Sequence, residues 1–133
     1  MKKSFVTIMS AVFLLVAGLA LADGTPAPVS TPELKQTIGA NGKATLVFFQ
    51  NPFGRPCRMQ SEVLDKLKNN RKGNFNIASV NAMKQDDQKA FYDYGIRSLP
   101  SLVLVDKSGK IARVFAPGIQ SIETLASALD GLK

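Results

Sequence analysis

The chain is poor in the residues that bind soft metals and form disulfides. It has no histidine, no tryptophan and a single cysteine, Cys57, among 133 residues. Soft-metal sites combine several cysteine and histidine ligands, so we expect no metal and no bound cofactor. One cysteine also excludes an internal disulfide. Cys57 is therefore either a buried free thiol or a reactive thiol that pairs with another molecule.

Long runs of one charge are absent too. The chain carries 17 basic and 10 acidic side chains, a formal net charge of +7. The basic residues are scattered among acidic ones, and aromatic residues do not alternate with them as a base-stacking surface requires. This pattern predicts a solvated surface of mixed charge and no nucleic-acid partner.

Only the N-terminus has a long apolar run. Lys2 and Lys3 precede residues 5–22, which contain no ionisable side chain and end in the small residues before Asp23. This pattern predicts a signal peptide over residues 1–22, cleaved after Ala22, and a periplasmic or secreted protein that is not held at a membrane. The alternative is an uncleaved anchor, because the run approaches the length that spans a bilayer.

The segment after the apolar run contains small residues and two prolines. Pro26 and Pro28 lie within residues 23–30, which we interpret as a flexible or extended linker. The domain then occupies residues 31–133. This length of about 100 residues can bury one hydrophobic core.

Within the domain, hydrophobic periodicity alternates between helix and strand. The predicted elements, in order, are a helix capped at Ser30–Thr31, a strand over 45–49, a helix starting at Pro56, a strand over 75–80, a helix over 86–94, a hairpin of 101–105 and 111–115, and a helix capped by Ser121. This order predicts an α/β fold, a mixed β-sheet with helices on both faces.

The most informative motif follows the first strand. It reads Phe53-Gly54-Arg55-Pro56-Cys57. A dithiol redox enzyme needs two cysteines at Cys-x-x-Cys spacing, one to attack a disulfide and one to resolve the mixed disulfide. Here glycine occupies the first place, so half of that chemistry is missing.

These residues resemble the thioredoxin family over about residues 31–133. The family's Trp-Cys-Gly-Pro-Cys motif is matched by residues 53–57, and its Gly-Ile-Arg-x-x-Pro segment by residues 95–100, ending at Pro100. The Pro117–Gly118 turn before the last helix also fits. The resemblance implies a three-layer α/β sandwich, a cis-proline at Pro100, and a substrate groove formed by Phe53, Gly54, Arg55, Pro56, Leu99, Pro100 and Gly118.

Three departures from the family concern chemistry. Gly54 replaces the attacking cysteine, so the resemblance carries over only the second thiol, Cys57. The family's buried acid falls at Phe48, and a nearby family lysine falls at Ser79. The coincident loss of all three groups indicates natural divergence of the whole site.

The expected reactivity of Cys57 depends on two opposing effects on its thiol. The start of a helix, with Arg55 and Arg58 nearby, favours thiolate, whereas apolar burial favours the neutral thiol. A peroxidase of the peroxiredoxin kind is disfavoured, since Gly54 has no hydroxyl to donate. The alternative interpretation of Cys57 is a small buried hydrophobic residue without a redox role.

Two functions are left open. One is redox homeostasis by thiol–disulfide exchange at Cys57 with a protein or low-molecular-weight thiol or disulfide; ordinary dithiol turnover is not expected. The other is a non-catalytic module that binds peptides or proteins. We expect a monomer, with a Cys57-linked dimer as the alternative.

Overall fold

A computed structural model describes residues 21–132. Residues 1–20 of the predicted signal peptide lie outside the described residues. The helices are α1 (Pro32–Thr37), α2 (Arg55–Asn70), α3 (Gln88–Tyr94) and α4 (Ile122–Asp130), and the strands are β1 (Thr45–Gln50), β2 (Asn76–Asn81), β3 (Ser101–Val105) and β4 (Ile111–Val114). None of the helices described is long and apolar enough to cross a bilayer.

The four strands form one mixed sheet in the order β2-β1-β3-β4. Strand β1 is central, parallel to β2 and antiparallel to β3. Its first five residues are buried because both faces of the sheet are covered, which explains its continuous apolar run. The predicted α/β class and mixed sheet are confirmed.

The sheet divides the core into two apolar layers. Alternate residues of β1 face opposite sides, so Val47 and Phe49 pack with α1 and α3, whereas Leu46 and Phe48 pack with α2 and α4. Phe49 makes aromatic contacts with Phe91 and Tyr94, at centroid distances of 5.4 and 5.1 Å. Helices therefore cover both faces, as the periodicity predicts.

The fifth predicted element, the helix over 86–94, begins differently from the prediction. A 3-10 turn, Gln85–Asp87, precedes α3, which starts at Gln88 rather than at residue 86. The carboxylate of Asp87 does not cap this helix. It accepts a hydrogen bond of 2.8 Å from the backbone N–H of Asn81, at the end of β2.

The predicted linker is not a free segment: residues 23–25 form a turn, and the linker docks on the folded unit. Gly24 donates a backbone hydrogen bond to Ile111, and Ala27 donates one to Gly109. Ala27 is buried, and Pro28 accepts a hydrogen bond of 2.6 Å from the Tyr94 hydroxyl. Backbone contacts of the folded unit therefore begin upstream of residue 31.

Candidate functional site

A tight turn connects β1 to α2. The side-chain oxygen of Asn51 accepts a hydrogen bond of 3.0 Å from the N–H of Phe53, and its backbone carbonyl accepts one of 2.9 Å from Gly54. Helix α2 then begins at Arg55 with Pro56 in its first turn, where a missing N–H and a fixed φ are tolerated. These contacts place Cys57 in the first turn of the helix.

Cys57 is the only thiol of the chain, and it is 2 % exposed. The backbone N–H of Asn51 points at its sulfur, with 3.4 Å between nitrogen and Sγ. The thiol is therefore held in one position under the turn. A reagent reaches this sulfur only if the turn moves.

Gly54 leaves space beside that sulfur. A β-carbon built at position 54 would lie 4.0 Å from the Sγ of Cys57 and 3.4 Å from the carbonyl oxygen of Asn51. The backbone of Gly54, with φ −84° and ψ 136°, is open to any L-amino acid. Glycine is therefore not required here by backbone geometry.

Phe48 and Ser79, the positions that the resemblance assigns to an acid and a lysine, are neighbours. They are register partners on β1 and β2. Phe48 is 2 % exposed and packs in the layer that also holds Leu64 of α2. An apolar ring and a small hydroxyl therefore replace two titratable groups, and neither can take a proton from Cys57 near neutral pH.

The predicted residues Leu99, Pro100 and Gly118 come together at one end of the sheet. The Leu99–Pro100 peptide bond is cis, and the N–H of Gly118 donates a hydrogen bond of 3.0 Å to the carbonyl of Pro100. Ser101 pairs with Phe49, so this loop lies at the end of β1 that leads into the Cys57 turn. The predicted groove residues thus occupy one end of the fold.

The rim of this end is apolar and exposed. Phe53 is 76 % exposed and Ile119 is 43 % exposed, whereas Phe48 and Phe49 belong to the core. The guanidinium of Arg58 donates a hydrogen bond of 2.9 Å to the carbonyl of Phe53, which holds the turn against α2. Exposed aromatic rings of this kind are typical of binding surfaces.

Two residues of the site escape sequence reasoning. Asn51 supplies the N–H that faces the sulfur, and Gln60, a polar residue of α2, is completely buried. The position of Gln60, one helical turn after Cys57, is the signal that could have found it.

Within residues 21–132, no cluster of three or more histidine, cysteine or carboxylate side chains could hold a metal.

Three features define a thioredoxin-like domain. They are the mixed sheet, the thiol in the first turn of the helix that follows the central strand, and the cis-proline just before the strand that is antiparallel to the central strand. The family model described as a thioredoxin-like domain matches residues 32–133. Since this match covers most of the chain, the protein belongs to the thioredoxin-like family.

Curated relatives are thioredoxins. The chain is 30% identical over 102 residues to thioredoxin of Pyropia yezoensis, covering 77% of this chain and 92% of the relative. It is 28% identical over 102 residues to thioredoxin of Synechocystis sp., with the same two shares covered.

Solved structures support the same fold. Malaria parasite thioredoxin-2, described as a component of the parasite's protein secretion machinery, has a TM-score of 0.57 at 20% identity, over 68% of this chain and 84% of that chain. Another malarial protein has the same TM-score and identity, over 66% and 94% of the two chains. At this identity the likeness establishes the fold alone.

Proposed function

We propose that the protein is an exported thioredoxin-fold protein that acts in thiol–disulfide exchange through a degenerate, single-cysteine site. The observation that carries the proposal is the position of Cys57. Its Sγ lies in the first turn of α2, faced by the N–H of Asn51, and no side chain of residue 54 covers it. A backbone donor and the N-terminal end of α2 therefore both face this sulfur.

The chemistry balances with one protein thiol and one external thiol. The Cys57 thiolate attacks a sulfur of a partner disulfide, a Cys57–partner disulfide forms, and the other partner sulfur leaves as thiolate. A low-molecular-weight thiolate then attacks the partner sulfur of that mixed disulfide, so that a disulfide between the partner and the small thiol forms and Cys57 leaves as thiolate. The external thiol takes over the resolving step that dithiol members perform with their own second cysteine.

A second candidate is favoured by the burial of the thiol. At 2 % exposure Cys57 is closed to a partner disulfide unless the turn at 51–54 opens. Phe53 is exposed and Gly118 is half-buried, so this part of the surface can contact an extended peptide without such a movement, although Pro100 itself is buried. In this alternative the protein binds partner polypeptides without exchanging disulfides.

Reaction with glutathione disulfide separates the two candidates. The exported, purified protein is incubated with the reagent, and the mixed disulfide is measured by mass spectrometry, natively and in urea. Exchange predicts a native adduct at Cys57 that is absent from Cys57→Ser and removed by reduced glutathione. An adduct that forms only in urea would leave peptide binding as the function.

Export is tested separately by the N-terminus of the mature protein. Cell fractionation followed by intact-mass measurement is expected to give an extracytoplasmic chain that begins at Asp23. A full-length chain in the membrane fraction would support the anchor instead.

A further inference from the structure

All the charged side chains in the segments around Cys57 are basic. We call the end of the fold that these segments form the site end. Three segments form this end: residues 51–60, 95–101 and 115–121. Together they contain Arg55, Arg58 and Arg97 and no aspartate or glutamate. Acidic residues are frequent elsewhere in the chain, so the loops around the thiol present cations alone.

These three arginines have no carboxylate partner in the part of the chain that the structure describes. The ion pairs found there are Arg71–Asp130 and Lys89–Asp93. All three arginine side chains belong to exposed residues, and Arg58 uses one N–H on the carbonyl of Phe53. Guanidinium groups carry five N–H donors, so most of them remain available to a ligand.

Other charges at this end do not cancel the arginines. The loop after β2 carries Lys84, Asp86 and Asp87. Lys84 and the three arginines make four cations against the two carboxylates of Asp86 and Asp87, which leaves a net charge of +2. The net charge of the site end is therefore positive.

An apolar cleft lies beside Arg97. It has a volume of about 270 Å³, and its lining includes Ile96, Val114, Phe115 and Pro117 together with Arg97. Pro117 is adjacent to Gly118, which bonds to Pro100, so the cleft continues the surface around the cis-proline. The cleft has room for one apolar side chain of a peptide that crosses this surface.

We propose that this surface selects partner segments in which acidic side chains flank an apolar residue. The apolar residue enters the cleft, one neighbouring carboxylate pairs with Arg97, and a second pairs with Arg55 or Arg58. Bidentate pairing of arginine with carboxylate provides the selectivity. The inference rests on the proposed function in that it gives the partner class of the same site, but it requires binding only.

A cysteine-free peptide tests the inference apart from disulfide exchange. The probe is an extended synthetic peptide with leucine flanked by glutamates, and the comparison peptide has glutamines instead. Binding is followed by amide shifts of the exported protein at low salt. We expect the acidic peptide to bind about tenfold more tightly, since each exposed pair contributes up to about 1 kcal/mol. Salt should remove the difference.

Matched charge deletions locate the effect. Arg97→Gln should weaken the acidic peptide about threefold to fivefold, as expected for one exposed ion pair. Lys66→Gln, which removes an exposed charge farther along α2, should change nothing. Equal binding of the two peptides, or equal loss in the two variants, would overturn the inference. Cys57→Ser should bind the probe normally, so failure of exchange and failure of acidic selection are separate results.

Discussion

The side chain of Gln60 and the backbone of Gln120 exchange two hydrogen bonds. The amide nitrogen of Gln60 donates to the Gln120 carbonyl at 3.2 Å, and its oxygen accepts from the Gln120 N–H at 2.6 Å. Gln60 is on the helix that carries Cys57, and Gln120 follows the Gly118 loop. This pair therefore connects two of the three segments at the site end.

Removal of these two hydrogen bonds should lower the stability of the protein. We expect Gln60→Ala to lower the free energy of unfolding by about 2 to 3 kcal/mol, because the buried amide is lost and two backbone groups of the partly buried Gln120 lose their partners. Gln36→Ala, at an exposed glutamine of α1, should change it by less than about 0.5 kcal/mol. Urea denaturation measures both values, and equal stability of the two variants would show that the connection contributes nothing.

Restoring a sulfur at position 54 should recreate a dithiol. In Gly54→Cys the new β-carbon lies 4.0 Å from the Sγ of Cys57, within the reach of disulfide geometry after a small adjustment. We expect an intramolecular disulfide on air oxidation, detected by intact mass and loss of free thiol.

The control for this variant is a second cysteine on the same helix. Ser61→Cys places its side chain one turn from Cys57, where β-carbons are about 5–6 Å apart and a disulfide is strained. If this variant forms the intramolecular bridge as readily as Gly54→Cys, position 54 has no special geometry.

Tyr94 should make stability fall in alkaline solution. Burial, with a smaller contribution from the charge of Asp93, raises the pKa of its hydroxyl above the ordinary value. The folded state thus holds this proton more tightly than the unfolded state. Its stabilising contribution is complete below pH of about 10, the unfolded value, and is lost as pH rises further.

Conservative variants isolate this effect. Tyr94→Phe should weaken the neutral protein by about 1 to 2 kcal/mol, since Pro28 loses its donor, and should flatten the decline above pH of about 10. Tyr92→Phe, at a residue 86 % exposed, should behave as wild type. Unfolding free energies between neutral and alkaline pH give the comparison; parallel curves for Tyr94→Phe and wild type would contradict the assignment.

Two carboxylates protect the open edge of β2. The N–H of Ser79 donates to Glu33 at 2.7 Å, and that of Asn81 donates to Asp87 at 2.8 Å. Both N–H groups point away from β1, where another strand could pair. We expect Glu33→Ala to lower stability by about 1 kcal/mol and to increase self-association.

Sedimentation velocity over a range of concentrations tests the role of this edge. Glu62→Ala, which removes an exposed carboxylate on α2, supplies the same charge change elsewhere. Self-association that rises equally in both variants would point to net charge instead of edge protection.

The fold was predictable because periodicity reports which apolar side chains are buried. The continuous run at residues 45–49 and the apolar stripe of α4 both predict their elements correctly. The burial of Gln60 fits the spacing of the buried residues of α2, but its partner was not predictable, because Gln120 lies 60 positions away along the chain. The docking of residues 24–27 likewise depends on backbone hydrogen bonds to the β3–β4 hairpin, which leave no pattern in the sequence.

The proposed cleavage and the folded N-terminal segment would compete for one carbonyl group. The carbonyl of Ala22, which the proposed cleavage after this residue would attack, accepts hydrogen bonds from both the N–H and the hydroxyl of Thr25. The backbone N–H of Gly24, two residues after Ala22, donates a hydrogen bond to the carbonyl of Ile111. A peptidase needs this stretch extended and accessible, so the proposed cleavage after Ala22 would have to precede the docking of the N-terminal segment. A chain that folds early would keep its leader, and the timing of translocation would decide whether the protein is released.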